Sequence, residues 1–585
     1  MRASVRHAFL LACVAGVRSE TFDYVIAGAG TAGLVIANRL SDRPDISVAV
    51  IEPGDDQRNN PNVTTVNWSF AGLDTSLTWR YTSVPQPTLG GKNLTYFGGR
   101  AIGGSSSING MVYIRGDKAL YDAWEEELGN PGWNWDAVFA SAKRGETFTP
   151  PTPAQVASGA TYERWAHGDS GPVSVGFPFV LSNSSFYSLA RRTWEALGME
   201  ATTDLNDGYC HGFVSAPLTV DRDANVRDDS ARAYYRSVES RPNLKIIKGT
   251  VKRITWANRR GREAVADGFE YVDPAGKLVK IGARREVILS ASAFRNPLIL
   301  EASGVGNPRI LKKLGIETKV NLPGVGESMQ DHNGVSMMYG LNGNIEGRIP
   351  FATMPTAYDV WGNETSAIAE STRGKLAEWA RVVAAGTQGA LSPEAVERRF
   401  RVQHSLIFEK NITIAELFPT SAGTQILAQF WTSMPFSWGS IHLGAADKTD
   451  EPLIDSKLLT IDFDRDMVAG VGRLSQRAYS TAPLTELVAT NISPGYDVLP
   501  LDATDEQWAA FVTGNVQNAI HVVGTCAMLP RELGGVVDSR VRVHGTRNVR
   551  VVDASIIPMQ MTGHTMAPVY AVAERAAELI KADRG

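Results

Sequence analysis

Cysteine is almost missing from this chain. There are three in 585 residues, and once the first nineteen residues are set aside only Cys210 and Cys526 remain, which excludes a small fold held by a disulfide framework. These two either form one bridge or stay as separate buried thiols, and spacing does not choose between them. Basic charge is not in excess: 58 Lys and Arg stand against 62 Asp and Glu, a net charge of −4, so no field draws the chain to nucleic acid. Beyond the leader no apolar run is long enough to cross a bilayer. No internal repeat and no low-complexity run is present, and the nine histidines and two remaining cysteines show no metal-ligand spacing.

Glycine is plentiful, at 55 residues against about 41 at the usual ~7%. That suits a fold with many tight turns around a bound cofactor. The length exceeds what one core supports, so two or more domains are expected.

The N-terminus reads apart from the rest. Arg2, Arg6 and His7 precede the apolar run Ala8 to Val17, and Val17 and Ser19 suit cleavage before Glu20. Residues 1–19 are expected to be a signal peptide of a secreted or secretory-lumen protein, although Arg18 sits awkwardly at the cleavage point; a short hydrophobic leader without a targeting role is the alternative. Seven N-x-S/T sequons, at Asn62, Asn67, Asn93, Asn183, Asn363, Asn411 and Asn491, agree with that route. Asn491 is a poor acceptor, with Pro494 close behind it.

The chain is organised around Tyr24-Val-Ile-Ala-Gly28-Ala-Gly30-Thr31-Ala32-Gly33-Leu-Val-Ile-Ala-Asn-Arg-Leu40 and the following Asp45-Ile-Ser-Val-Ala-Val-Ile-Glu52. An apolar run ends in a glycine turn, a helix-period segment follows, and a second apolar run closes on an acid 24 residues past Gly28. This predicts a βαβ dinucleotide-binding unit. Gly28 permits the turn, Gly30 lets backbone N–H groups reach a pyrophosphate at the helix N-terminus, and Gly33 allows helix and strand to pack closely. Glu52 is placed to accept from a ribose 2′-OH, which favours FAD or NAD over NADP.

From Pro53 to Thr95 the chain reads as polar and irregular, its aromatics Trp68, Phe70, Trp79 and Tyr81 folding under as local core or, for Trp68 and Phe70, standing at an entrance. A second glycine-rich stretch follows, Gly98-Gly-Arg100-Ala-Ile-Gly-Gly104-Ser105-Ser-Ser-Ile-Asn109-Gly110-Met-Val-Tyr-Ile-Arg-Gly116. Its glycine pair and hydroxyls supply N–H groups and short donors to an anionic cofactor. The Pro/Thr-rich segment Thr147 to Pro153 reads as a surface loop. Leu244 to Ile254 and Glu286 to Ser290 read as strands completing the cofactor sheet. Helices are expected over Ser366 to Ala385 and Pro393 to Phe400, a strand over Gln425 to Trp431, and a terminal helix over Ala567 to Ala582, where Tyr570, Ala573, Ala577 and Ile580 share a face.

Gly28 to Gly33, Gly99 to Gly116 and Ser292-Ala-Phe-Arg-Asn-Pro-Leu-Ile-Leu-Glu-Ala-Ser-Gly-Val-Gly306 together resemble the three diagnostic stretches of the glucose–methanol–choline (GMC) oxidoreductases. The resemblance continues through Asn225 to Tyr235, Val325-Gly-Glu-Ser-Met-Gln-Asp-His332, His521-Val-Val-Gly-Thr525 and Val551-Val-Asp-Ala-Ser555, and is nearest the secreted fungal glucose dehydrogenase and glucose oxidase branch. It implies FAD, with Arg100, Ser105, Asn109 and Asp553 at the cofactor and the backbone of Val251 at the adenine end. For Asp553 the plainer reading is a helix-cap or turn acid. Two departures stand out. Asn296 replaces the usual Ser or Thr, and Ile108 occupies the place where some relatives carry a flavin-tethering histidine, so FAD is expected to be non-covalent.

His521 and His564 match the histidine pair that such sugar enzymes hold over the flavin ring; either, taken alone, reads first as a satisfied core histidine. Oxidising an alcohol removes a hydroxyl proton and a carbinol hydride, and a neutral imidazole suits the proton. The expectation is His521 as base and His564 as the hydrogen-bonding partner that orients the alcohol. Glu416 matches a carboxylate of the sugar pocket, or is an ordinary strand-face acid. Glucose-active relatives carry Arg four residues and Asn two residues before the base, where this chain has Gln517 and Ala519. Glucose is therefore not the expected substrate, because its buried hydroxyls would lose partners worth ~1–3 kcal/mol each.

The sequence thus predicts an α/β Rossmann-like FAD domain (20–120, 221–332 and 545–585) and an α+β substrate domain on an antiparallel sheet (121–220 and 333–544). Its expected partners are a small-molecule alcohol and an oxygen or quinone-type acceptor. The alternative is a pathway enzyme of fungal secondary metabolism, of the versicolorin B synthase type, that uses the site for non-redox cyclisation with structural FAD. A catalytically silent flavin-binding protein fits least, since both histidines are kept.

Overall fold

The computed structural model describes residues 20–66, 71–178, 186–258, 263–345 and 351–583. The expected leader 1–19, the entrance candidates Trp68 and Phe70, and the sequons at Asn67 and Asn183 lie outside them. Strand β1 (Thr21–Ala27), helix α1 (Thr31–Leu40) and strand β2 (Val48–Glu52) form the expected βαβ unit. β1 and β2 run parallel, Val25 opposite Ala49, and every residue of β2 is buried. A strand buried on both faces must be apolar throughout, which is why Val-Ala-Val-Ile reads as a run rather than an alternation.

β2 is flanked by Leu244–Lys248 and β1 by Leu278–Leu289, both parallel, and Ala266–Val272 and Thr250–Trp256 extend the sheet antiparallel to make seven strands with Val549–Val551. The run from Leu244 to Ile254 is therefore two strands and not one. The two halves pair with different strands, one with β2 and the other with Ala266–Val272, and Gly249 sits at the junction, where a Cβ would stand 2.4 Å from the Tyr271 ring. The last helix, Met566–Ala582, packs on α1, and Arg39 pairs with the buried Glu574 across that contact at 2.7 Å.

A second sheet has six strands. Asn333–Ile345 runs antiparallel to Ala415–Thr432, joined by Phe351–Met354, Gly212–Ser215, Val488–Ser493 and Gln517–Asn518. Helix Asp462–Tyr479 packs on this sheet, while helices Thr365–Ala385 and Pro393–Phe408 pack on each other; the latter runs eight residues past its expected end. Two segments read as irregular are ordered by distant partners. Thr78–Thr82 pairs with Thr95–Gly99, and the supposed loop at Thr147 belongs to a strand, Glu146–Thr149, parallel to Val173–Gly176 with Phe148 buried. Cys210 and Cys526 are both free and buried. Asn491 is buried, and its Oδ1 accepts from the Gly495 N–H at 3.2 Å.

Candidate cofactor cradle and active site

One cavity of about 740 Å³ runs from the C-terminal ends of β1 and β2 to the second sheet. Its floor is the glycine turn. Gly28 has φ +102°, and a Cβ there would meet Ser290 O at 2.4 Å; a Cβ on Gly33 would meet Gly28 O at 2.0 Å. Above Gly30 the nearest atom to such a Cβ is Gly104 Cα at 3.8 Å, and Gly30, Thr31 and Ala32 form cavity wall while Gly33 does not. The turn thus divides as expected: Gly28 and Gly33 are needed by the protein's own packing, and Gly30 keeps a space clear. α1 begins at that space with no side-chain cap on its first turn, leaving N–H groups for an anion.

The second glycine stretch closes over the first. Gly104, at φ +56°, brings its Cα against Gly30, where a Cβ would come within 2.6 Å. Gly104, Ser105, Asn109 and Gly110 all line the cavity. Ser105 Oγ accepts from the Gly99 N–H at 3.0 Å, and Asn109 Oδ1 takes the Met111 N–H and the Arg227 guanidinium at 3.0 and 2.8 Å. Ile108 is buried in this wall and offers no nucleophile for a flavin tether.

Glu52 is buried and accepts from the Ala29 and Gly54 N–H groups at 2.9 and 2.7 Å. Burial pushes its carboxyl above the ordinary range, although both amides and the nearby Arg295 and Arg100 oppose this. Val251 and Thr250 line the same end. Asp553 has its acceptors filled: Oδ1 takes the Ser555 N–H and hydroxyl at 2.9 and 2.6 Å, Oδ2 the Ser292 N–H and Asn296 Nδ2 at 2.8 and 2.7 Å. Asp553 thus holds the turn together and also lines the cavity. Asn296, the departure from the family pattern, fits because its amide bonds at both ends, accepting from the Ala291 N–H at 2.8 Å and donating to Asp553 and Ser555.

Arg100 is exposed and off the cavity wall. Its guanidinium lies 4.7 Å from the centre of the Trp79 ring, and Arg295 lies 4.7 Å from it as well. Arg295, which sequence reasoning passed over, is buried and lines the cavity; Glu52 and Asp450 act on it only by charge at longer range. A buried cation with no contacting carboxylate fits an anionic ligand. A cleared glycine cradle, an uncapped helix N-terminus and this cation match the pyrophosphate of a dinucleotide, so the residues fit FAD.

At the other end His521 and His564 come together, ring centres 5.0 Å apart. Trp431 stands edge-on to both, at 5.8 and 5.3 Å, and Phe418 is 5.6 Å from His564. His521 is held by two consecutive residues. Asp331 Oδ1 accepts the backbone N–H groups of His332 and His521, each at 2.8 Å, and its Oδ2 that of Ile520 at 3.2 Å. Ile520 has φ +62°, a conformation that needs such over-determination. Burial raises Asp331 to about 7. The His332 ring meets His521 Nδ1 to Nδ1 at 2.9 Å, and its Nε2 lies 2.9 Å from Met561 O. Burial holds His332 down at about 3, and burial together with His564 and His332 holds His521 well below the ordinary imidazole range. Glu416 lies behind His564, its Oε1 3.1 Å from Nδ1, fully buried and off the cavity wall. Gln517 is an exposed residue of the wall, and Ala519 lines it too.

The rest of this end is largely apolar, with Val335, Ile345, Phe418, Trp431 and Val522, interrupted by Gln429 and Asn518. Known proteins match throughout. The GMC oxidoreductase family matches residues 22–334 and 435–573. The glucose oxidase-like protein fsoC of Humicola fuscoatra is 46% identical over 96% of both chains. The glucose oxidase of Penicillium chrysogenum is 32% identical over 97% of this chain and 93% of its own. Among solved structures, an FAD-dependent oxidoreductase of Chaetomium thermophilum superimposes with a TM-score of 0.87 at 28% identity, covering 96% of this chain and 99% of that one. A fungal aryl-alcohol oxidase does so with a TM-score of 0.85 at 25% identity, covering 97% and 100%. Glycine cradle, two-sheet architecture and family match agree: the chain belongs to the glucose–methanol–choline oxidoreductases, FAD-dependent enzymes that act on alcohol and sugar-type donors.

Proposed function

We propose that this enzyme oxidises a primary or secondary alcohol with a body less polar than glucose, His521 taking the hydroxyl proton. The observation that carries the reading is the meeting of His521 and His564 at the apolar end of a cavity whose other end is the cofactor cradle. FAD, held non-covalently by the Gly28–Gly33 turn, the Gly104–Gly110 stretch, Glu52 and Arg295, supplies a hydride acceptor when bound. His521, kept neutral by burial, accepts the hydroxyl proton. His564 orients the oxygen by a hydrogen bond, and the Glu416 carboxylate favours a proton on its Nδ1. Trp431 and Phe418 exclude water around both rings.

Specificity follows from what Gln517 and Ala519 leave undone. A methyl and an exposed amide do not hold several sugar hydroxyls, and a hydroxyl buried without a partner costs ~1–3 kcal/mol. Aryl, furan or extended aliphatic alcohols suit the Val335, Ile345 and Phe418 wall. A secretory route is part of the proposal; the exposed sequon residues Asn62, Asn363 and Asn411 support it. The test is anaerobic mixing of holoenzyme with sugars and with aryl, furan and aliphatic alcohols while following the visible flavin band. Bleaching by a less polar alcohol and not by glucose is expected. Efficient bleaching by glucose contradicts the substrate class, and silence across the panel contradicts alcohol oxidation and favours the non-redox alternative.

A further inference from the structure

We infer that His332 is a positioning residue that sets the tautomer of His521, leaving Nε2 of His521 without a proton and free to accept one from the substrate. The inference rests on the reading of His521 as base and explains how that base is made ready.

The chain of assignments starts at Met561. Its carbonyl oxygen only accepts, so His332 Nε2, 2.9 Å away, must carry a hydrogen. The His332 side chain is wholly buried and neutral, so that hydrogen is its only one and Nδ1 is a lone pair. This lone pair faces His521 Nδ1 at 2.9 Å. One proton fits between the two nitrogens, and it belongs to His521. His521 is itself neutral, so its Nε2 is the unprotonated atom. A terminal carbonyl thus dictates, through one intervening ring, which nitrogen of the second ring is basic.

The surroundings leave little else to decide it. Asp331 directs both oxygens at backbone N–H groups of residues 332, 520 and 521 rather than at the His521 ring. His564 meets the ring edge-on with Glu416 beyond it, and Gln560 Nε2 donates to the His521 carbonyl at 3.0 Å. No carboxylate contacts the His521 ring among the described residues. The partner at Nδ1 is therefore neutral. It fixes the tautomer as the aspartate of a Ser-His-Asp triad does, without that aspartate's pull on an imidazolium. When Nε2 takes the alcohol proton, the Nδ1–H to His332 bond is retained and no further bond has to break.

Holoenzyme labelled with ¹⁵N-histidine, without substrate, reads this directly. His521, identified by the signals missing from His521→Asn, is expected to show a pyridine-type Nε2 and a pyrrole-type Nδ1; a pyrrole-type Nε2 overturns the proposal. His332→Leu removes the acceptor, whereas His332→Asn keeps a carbonyl oxygen at the level of Nδ1. The leucine variant is expected to show both tautomers of His521 and to reduce its flavin roughly 10- to 100-fold more slowly with KM little changed, and the asparagine variant to restore most of the rate. A leucine variant with bound flavin and the wild-type tautomer and rate overturns the inference. If it does not fold, the wild-type and asparagine spectra decide. Failure of the function itself would show separately, as a wild-type enzyme that no alcohol bleaches whatever its spectrum.

Discussion

Glu416 Oε1 and His564 Nδ1 stand 3.1 Å apart, and neither has a hydrogen-bond partner although Glu416 is wholly buried. The spacing is that of an ion pair and the angle is not that of a hydrogen bond. A buried carboxylate in this state is costly, and it is retained beside a site histidine. Glu416→Gln keeps the shape and turns one of the two acceptor oxygens into a donor, so the preference for a proton on His564 Nδ1 is weakened. The expected result is a fall of about 10- to 100-fold in kcat/KM for the alcohol, with flavin content and melting temperature near wild type. A variant of unchanged kcat/KM would return Glu416 to the status of an ordinary strand residue.

Gly30 and Gly33 are adjacent in function but different in cost. A Cβ at Gly33 lands 2.0 Å from Gly28 O, whereas one at Gly30 finds nothing closer than 3.8 Å. Gly33→Ala is expected to give little folded protein. Gly30→Ala is expected to fold and to bind FAD at least about tenfold more weakly, about 1.4 kcal/mol, because its methyl enters the pyrophosphate space. Flavin retained on gel filtration and the midpoint of thermal unfolding with added FAD measure both. Equal flavin retention in Gly30→Ala and wild type contradicts the assignment of that space.

Arg295 presents a buried guanidinium to the cavity with Trp79 against its face. If it meets the cofactor phosphates, Arg295→Leu loses a charge-assisted contact worth about 1.5–3 kcal/mol. FAD affinity then falls more than tenfold, and the loss shrinks at high salt much less than it would for an exposed pair. Arg100→Leu, altering an exposed side chain off the cavity wall, is expected to change affinity far less. Titration of apoenzyme with FAD, followed by flavin fluorescence, ranks the two.

His442 bridges two buried acids, Glu301 at 2.7 Å and Glu327 at 3.3 Å. Burial opposes its charge, but hydrogen bonds and charge from both carboxylates overcome this and raise it to about 10. A raised histidine stabilises the fold fully below its unfolded value, near 6.5, and this contribution is lost as pH rises through the folded value. The stability advantage of wild type over His442→Gln is thus expected to be largest below pH 6.5 and to shrink toward pH 10. Denaturant unfolding across that range checks it; an advantage that grows with pH contradicts it.

Much of the cofactor half was legible in the sequence because its constraints are local. The Gly28–Gly33 turn, β2 closing on Glu52 and the terminal helix are each set by spacing within a single segment, and the structure has them. Thr147 was misread for the opposite reason: its strand exists through pairing with Val173–Gly176, and proline and threonine content reports only local preference. Arg100 was expected at the cofactor and is exposed, while Arg295, directly before the buried helix Asn296–Ala302, carried no spacing signal that marks a ligand. His332 was visible within Gln-Asp-His, but its meaning depends on Met561 and His521, 229 and 189 residues away. Gln517 and Ala519 were legible as absences, since they stand where sugar-holding side chains would.

The most direct test of the account is single-turnover, anaerobic flavin reduction by a bleaching alcohol, protiated or deuterated at the carbinol carbon, in wild type and in His521→Ala. Wild type is expected to show a primary isotope effect and a rate that falls only below pH 6.5, since His521 is held below that value. His521→Ala, with its flavin bound, is expected to lose about 10²- to 10⁴-fold in rate together with that acid limb. A His521→Ala enzyme that reduces its flavin at the wild-type rate, with the same pH dependence, would contradict the assignment of His521 as the base.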